Sequence, residues 1–360
     1  MPNLNIPSFD LTVYLLAFTV EALTPIEMPP FKGSALRGAW KAYMQQAYCT
    51  APLSTRRDPL HQKMCPVCYL TEYESGPESR RPYTFRPPLS DQVRFDPGER
   101  FTFGITLLGN AMVLLPYVLL AVREMGENNG IGRKIGPKHR RGRFRLAEVR
   151  TLHPLSGKAE TVLAEGSTDV RVPTSAITPA DIAAEAQRLA AEIRANRPLR
   201  LHFLTPLRMV YRPQGAERSR LMRQFAFPVF IQRLTERLFS LASAHSPTAN
   251  AYTREALRQA VHTALPLASQ VTLLADHTHW WDVHGFSSRL GREQPLGGLV
   301  GEVLLTGQAL EPLLPLLLWG EVVQVGKNVV KGLGWYSVER AKEQISGQAR
   351  GADGRERKAR

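Results

Sequence analysis

Apolar positions in this chain change period several times, and each change marks an element. Residues 9–23 are rich in Val, Leu, Phe and Thr, which predicts a long strand. Leu36, Ala39, Trp40, Tyr43, Met44 and Ala47 then recur at three and four residues, predicting a helix from an N-cap at Ser34 to about residue 48. Arg37, Lys41 and Gln45 stack on another face of that helix, with Lys32 just before it. A stack of this kind is ordinarily solvated. Residues 82–86 and 100–108 read as strands, 111–125 as a buried helix and 143–152 as a further strand.

The second half repeats this order of elements without repeating the residues. Strand patterns fall at 199–211, 270–275, 299–306 and 335–338, and helical patterns at 224–244 and 312–319. Each half is therefore β-α-β-β-α-β, and the predicted fold class is α+β with two tandem ferredoxin-like, RRM-like domains. The predicted boundaries are 1–153 for the first domain, with a cysteine-containing insertion at 49–80, and 199–340 for the second. Between them, 154–198 is a connector whose helix starts at Thr178-Pro179, with Thr as cap and Pro at the first helical position. Residues 341–360 lack apolar periodicity and read as a basic disordered tail.

Composition narrows the partner. With 43% hydrophobic and 22% charged residues the chain is globular, and a formal net charge of +14 favours a polyanion, nucleic acid before membrane. The N-terminus lacks a secretory pattern and the longest apolar run is too short to span a bilayer, so the expected compartment is the cytoplasm. Three cysteines do not make a disulfide framework.

Charge and glycine concentrate in two places. Arg133, Lys134, Lys138, Arg140, Arg141, Arg143, Arg145 and Arg150 stand against one acid, Glu148, in a window broken by glycines. That density predicts contact with an RNA backbone. The second place is the loop Gly326-Lys327-Asn328-Val329-Val330-Lys331-Gly332-Leu333-Gly334, where glycine lets a backbone approach a ligand and two lysines add charge. It is not a Walker A loop, since the spacing is wrong and Asn328 replaces the magnesium-binding hydroxyl. Nor does it open a helix as a dinucleotide fingerprint must.

Taken with Gly297, Gly298 and Gly301 ahead of a leucine-rich helix, this loop resembles the C-terminal signature of the CRISPR repeat-processing endoribonucleases of the RAMP superfamily. Arg141-Gly142-Arg143-Phe144-Arg145-Leu146 is similar to a second element of that family. Trp280-Trp281-Asp282, followed by Phe286-Ser287-Ser288-Arg289, is similar to a third, with Gly285, Phe286, Leu290 and Gln324 departing from the usual residues. The resemblance implies binding of CRISPR repeat RNA and metal-independent cleavage by its 2′-hydroxyl, leaving a 2′,3′-cyclic phosphate and a 5′-hydroxyl. It also implies other CRISPR effector subunits as partners. The first alternative is a non-cleaving RAMP subunit that holds the crRNA, and the second is an unrelated RRM-like RNA-binding module.

Family members often offer histidine from the first helix, where this chain has Ala42. The acid–base candidates left are Lys41, Tyr43 and His139, with His61 in the insertion. Unperturbed Lys and Tyr ionise near pH 10, so cleavage through them should be slow and rise with pH. The RNA-binding candidates are Lys32, Arg37, Arg133, Lys134, Lys138, Arg140, Arg141, Arg143, Arg289, Lys327 and Lys331. Cleavage calls for no cofactor. Cys49, His61, Cys65 and Cys68 have the ligand types and the C-x-x-C knuckle of a structural zinc.

Overall fold

A computed structural model describes residues 8–73, 80–137, 139–213, 215–287 and 291–340. Lys138, Arg289 and the tail at 341–360 therefore lie outside the described residues. The first half forms an antiparallel sheet in the order Tyr83–Arg86, Arg100–Leu108, Val13–Ala22, Phe144–His153, Lys158–Leu163. Its first four strands have the ferredoxin-like arrangement, with the first strand between the third and the last. Alternation along Val13–Ala22 sends Phe18 and Val20 into the core, and the strand pairs with Arg100–Leu108 from Val13↔Leu108 to Glu21↔Arg100.

The second half repeats the plan in the order Thr272–Asp276, Gly298–Thr306, Leu199–Leu207, Tyr336–Arg340. His279–Trp281 adds a short pairing to the Gly298–Thr306 strand. The leucine-rich helix Leu314–Val323 is buried along almost its whole length beneath this sheet. Several elements were not expected, among them one edge strand and one long helix. Lys158–Leu163 is an edge strand within the predicted connector, and Arg254–Gln270 is a helix containing Pro266.

The first helix, Gly33–Tyr48, buries Leu36, Trp40 and Met44, as their spacing predicts. Ser34 does not cap it: the helix begins one residue earlier, and the capping position is Lys32 with no side-chain cap bond. Among the described residues, no helix is long and apolar enough to cross a membrane.

The halves are joined through the glycine-rich loop. Val329 and Val330 enter the first domain's core, Gln324 donates to the Phe85 carbonyl at 2.8 Å, and Arg86 donates to the Glu321 and Val322 carbonyls. The glycines permit protein–protein approach. A Cβ on Gly334 (φ +69°) would stand 1.7 Å from the Val325 oxygen, and one on Gly33 2.0 Å from the Lys331 oxygen. Within the loop itself, Gly332 (φ +92°) seats it against the first domain, where a Cβ would stand 2.5 Å from Pro87 Cδ, while Gly334 packs within its own half.

Candidate RNA interface and catalytic cleft

The solvated face expected for Arg37, Lys41 and Gln45 is instead folded against a second layer. Arg37 Nε donates to the Tyr83 hydroxyl at 3.1 Å, and Lys41 Nζ lies 2.5 Å from Glu72 Oε1, which also accepts from Gln45. Docking of the glycine-rich loop adds Lys331 to this group. Lys331 is only 9% exposed, and its Nζ has no hydrogen-bond partner among the described residues. Arg37 and Arg81 stand close enough to both lysines to perturb them.

A buried ammonium beside guanidinium groups ionises abnormally, because burial and like charge both oppose the charged form. Burial, with Arg37 and Arg81, brings Lys331 down to about 8. Lys41 is likewise brought to about 8 by burial and Arg37, although Glu72 pulls the other way. Burial favours neutral Glu72, but its bond to Lys41 outweighs that and holds the carboxyl below its usual range. Two lysines near pH 8 replace the groups near pH 10 that the sequence alone offers.

The remaining acid–base candidates lie elsewhere. Tyr43 packs against Tyr48, with ring centroids 6.1 Å apart, and burial raises its pKa further. His139 sits exposed at the turn of a hairpin, with φ +46°. That hairpin, Ile131–Ile135 paired with Arg140–Gly142, presents Arg133, Lys134, Arg140 and Arg141 to solvent, with Arg143 just beyond. Arg141 also donates to the Gly132 carbonyl, and Arg145 is taken up by Glu21 at 2.8 Å. The hairpin strand Ile131–Ile135 touches the first helix, so the exposed cations and the buried cluster lie on neighbouring elements.

One predicted RNA contact is otherwise employed. Lys32 is fully buried and donates to the Ser90 and Pro30 carbonyls at 2.6 and 3.3 Å, which withdraws it from any ligand. Lys327 and Lys331 share a loop but not a site. Lys327 lines a separate cavity of about 510 Å³ with Arg80, Arg233 and Arg254. Of the tryptophan element, Trp280 lies under Arg223 at 4.0 Å and Trp281 packs edge-on against Phe31. Cys49, His61, Cys65 and Cys68 do come together, at the far end of the first helix. Sequence reasoning missed Arg81 and Glu72, which flank 74–79 and reach the cluster only through tertiary packing.

Two ferredoxin-like sheets, with the glycine-rich loop of the second packed on the first, make up the fold. Residues 201–336 match the family described as CRISPR-associated endoribonuclease Cas6, and residues 11–175 match one described as an N-terminal domain. Residues 201–336, a little over a third of the chain, thus resemble the CRISPR-associated Cas6 endoribonucleases. Among solved structures it is similar to a partial Cas6-RT-Cas1–Cas2 complex, with TM-score 0.56 and 13% identity over 94% of this chain and 48% of that one. It is also similar to a Cas6 product complex, with TM-score 0.50 and 18% identity over 91% and 100%. Such identities show the fold alone. The chain spans about half the length of the Cas6-RT-Cas1 chain it matches. No curated protein matches the sequence.

Proposed function

We propose that this chain binds CRISPR repeat RNA and cleaves it by attack of a 2′-hydroxyl on the adjacent phosphodiester, without a divalent metal. The observation that carries this reading is the buried cationic cluster at the first helix, where burial, with Arg37 and Arg81 close by, brings Lys41 and Lys331 both down to about 8. A phosphate entering the cluster meets positive charge in a partly dry site, where it acts most strongly.

Lys331 has no acidic partner among the described residues and, in its neutral form, accepts the 2′-hydroxyl proton. The 2′ oxygen then bonds to phosphorus as the bond to the 5′ oxygen breaks. Lys41, kept charged by Glu72, donates its proton to that leaving oxygen. Arg37 and Arg81 offset charge on the phosphoryl oxygens. The products are a 2′,3′-cyclic phosphate and a 5′-hydroxyl. The carboxylate at the cluster, Glu72, is already engaged by Lys41, which favours catalysis by cations of the protein itself.

The exposed hairpin supplies Arg133, Lys134, Arg140, Arg141 and Arg143 for the phosphate backbone, giving affinity rather than chemistry. The occurrence of a Cas6 fold in a Cas6-RT-Cas1–Cas2 assembly supports other CRISPR proteins as partners here too. End-labelled repeat RNA incubated with the protein in EDTA tests the reading: it predicts a product bearing a 2′,3′-cyclic phosphate. Tight binding with no cleavage at any pH would assign the chain instead to the non-cleaving, crRNA-holding subunits.

A further inference from the structure

The insertion after the first helix gathers four soft donor atoms at one point. Cys49 follows the last turn of Gly33–Tyr48, His61 lies on the short helix Pro59–Met64, and Cys65 and Cys68 bracket the start of Pro66–Thr71. Their ligand atoms all lie within 4.8 Å of one another. Cys49 Sγ is 3.7 Å from Cys68 Sγ and 3.5 Å from His61 Nε2. These separations have a simple geometric meaning. Bonds of about 2.3 Å to sulfur and about 2.05 Å to nitrogen, arranged tetrahedrally, give edges of about 3.8 Å for S···S and about 3.6 Å for S···N.

A disulfide does not account for the cluster, since it needs sulfurs about 2.05 Å apart and all three cysteines are free. A thiol hydrogen bond accounts for one contact, but not for four donors from three segments converging on one centre. Cys49 and Cys68 are also buried among apolar residues of the first domain's core, including Val67 and Leu70. We propose that Cys49, His61, Cys65 and Cys68 bind one zinc ion in a closed, structural Cys3His site. On binding, the three thiols release their protons to solvent and histidine donates as neutral imidazole.

The placement gives the metal a second consequence. The helix that carries the knuckle, Pro66–Thr71, points Tyr69 at His245 of the second domain, with 3.3 Å between the hydroxyl and Nδ1. Its C-terminal end carries Glu72 to Lys41. A single ion therefore braces the first helix, the insertion and the second domain, and fixes the carboxylate that keeps Lys41 charged. This last link rests on the role proposed for Lys41; the metal site itself does not.

Full-length protein prepared anaerobically and without chelator should contain one zinc per chain by elemental analysis, and Cys68→Ser should lose it. Exchange with Co²⁺ should produce the intense visible bands of a tetrahedral thiolate site. Because Cys68→Ser can disturb folding, His61→Cys provides the control: it completes a four-cysteine site and should retain the metal, whereas His61→Ala should weaken it. Metal content is independent of RNA cleavage, so failure here is distinguishable from failure of the endoribonuclease reading. Native protein that takes up no zinc and titrates three free thiols would overturn the proposal. Full zinc retention in both Cys68→Ser and His61→Ala would overturn it equally.

Discussion

The hairpin at 131–142 and the cluster on the first helix are both rich in cations, yet they differ in what their charge can do. On the hairpin, Arg133, Lys134, Arg140 and Arg141 reach solvent. Exposed charges of this kind exchange small ions for RNA phosphates and respond to salt. In the cluster, Lys331 is 9% exposed and Lys41 is pressed against Glu72, so both have lost most of their water. Burial converts charge from a means of attraction into a means of proton transfer, by moving lysine from near pH 10 to about 8.

Substitutions should separate the two regions. Lys331→Ala is expected to have the largest effect, lowering the cleavage rate by about 10²–10⁴-fold while repeat-RNA affinity changes little. Equal losses in rate and binding would merge the cluster with the hairpin as one binding surface. Gly33→Ala should act on the same lysine from behind. A Cβ 2.0 Å from the Lys331 oxygen pushes the loop off the first helix, costing about 1–3 kcal/mol in a denaturant titration and slowing cleavage. Wild-type stability would show that the loop is not docked this way.

Two further substitutions have smaller effects. Glu72→Gln removes the partner that holds Lys41 up, so the pH at which Lys41 loses its proton should fall and the alkaline limb of the rate profile should move to lower pH. Arg141→Ala combined with Arg143→Ala should leave the cleavage step intact but flatten the salt dependence of binding. The expected loss is about 0.7 in the slope of log K against log salt for each single-strand phosphate contact removed. An unchanged slope would take the hairpin out of the interface. His139→Ala should do neither; if it abolished cleavage, proton transfer would belong to the hairpin instead.

Much of this was legible in the sequence. Strand 100–108 was predicted to the residue, and the two β-α-β-β-α-β units followed from periodicity that the sheets obey. Helix Arg254–Gln270 was missed even though Ala260, Ala264 and Leu267 are buried at helical spacing, because Pro266 and the surrounding polar residues weaken the pattern. The edge strand Lys158–Leu163 has few buried side chains to announce it. The basic hairpin could be seen as a run of charge. The cluster could not, because Lys331 meets the first helix across nearly the whole chain and its altered ionisation arises only on burial. The same distance hid the packing of Gly332, which meets Pro87 and Phe85 of the first domain.

The pH dependence of kcat/KM for repeat RNA cleavage in EDTA, measured for the wild type and for Lys331→Ala, tests the central claim most directly. This parameter reports ionisations of the free protein. The wild type should give a bell centred near pH 8, rising as Lys331 loses its proton and falling as Lys41 loses its own, with Lys331→Ala stripped of most activity and of the rising limb. A rate that climbs without a maximum toward pH 10, or a Lys331→Ala profile matching the wild type, would contradict catalysis by the buried cluster.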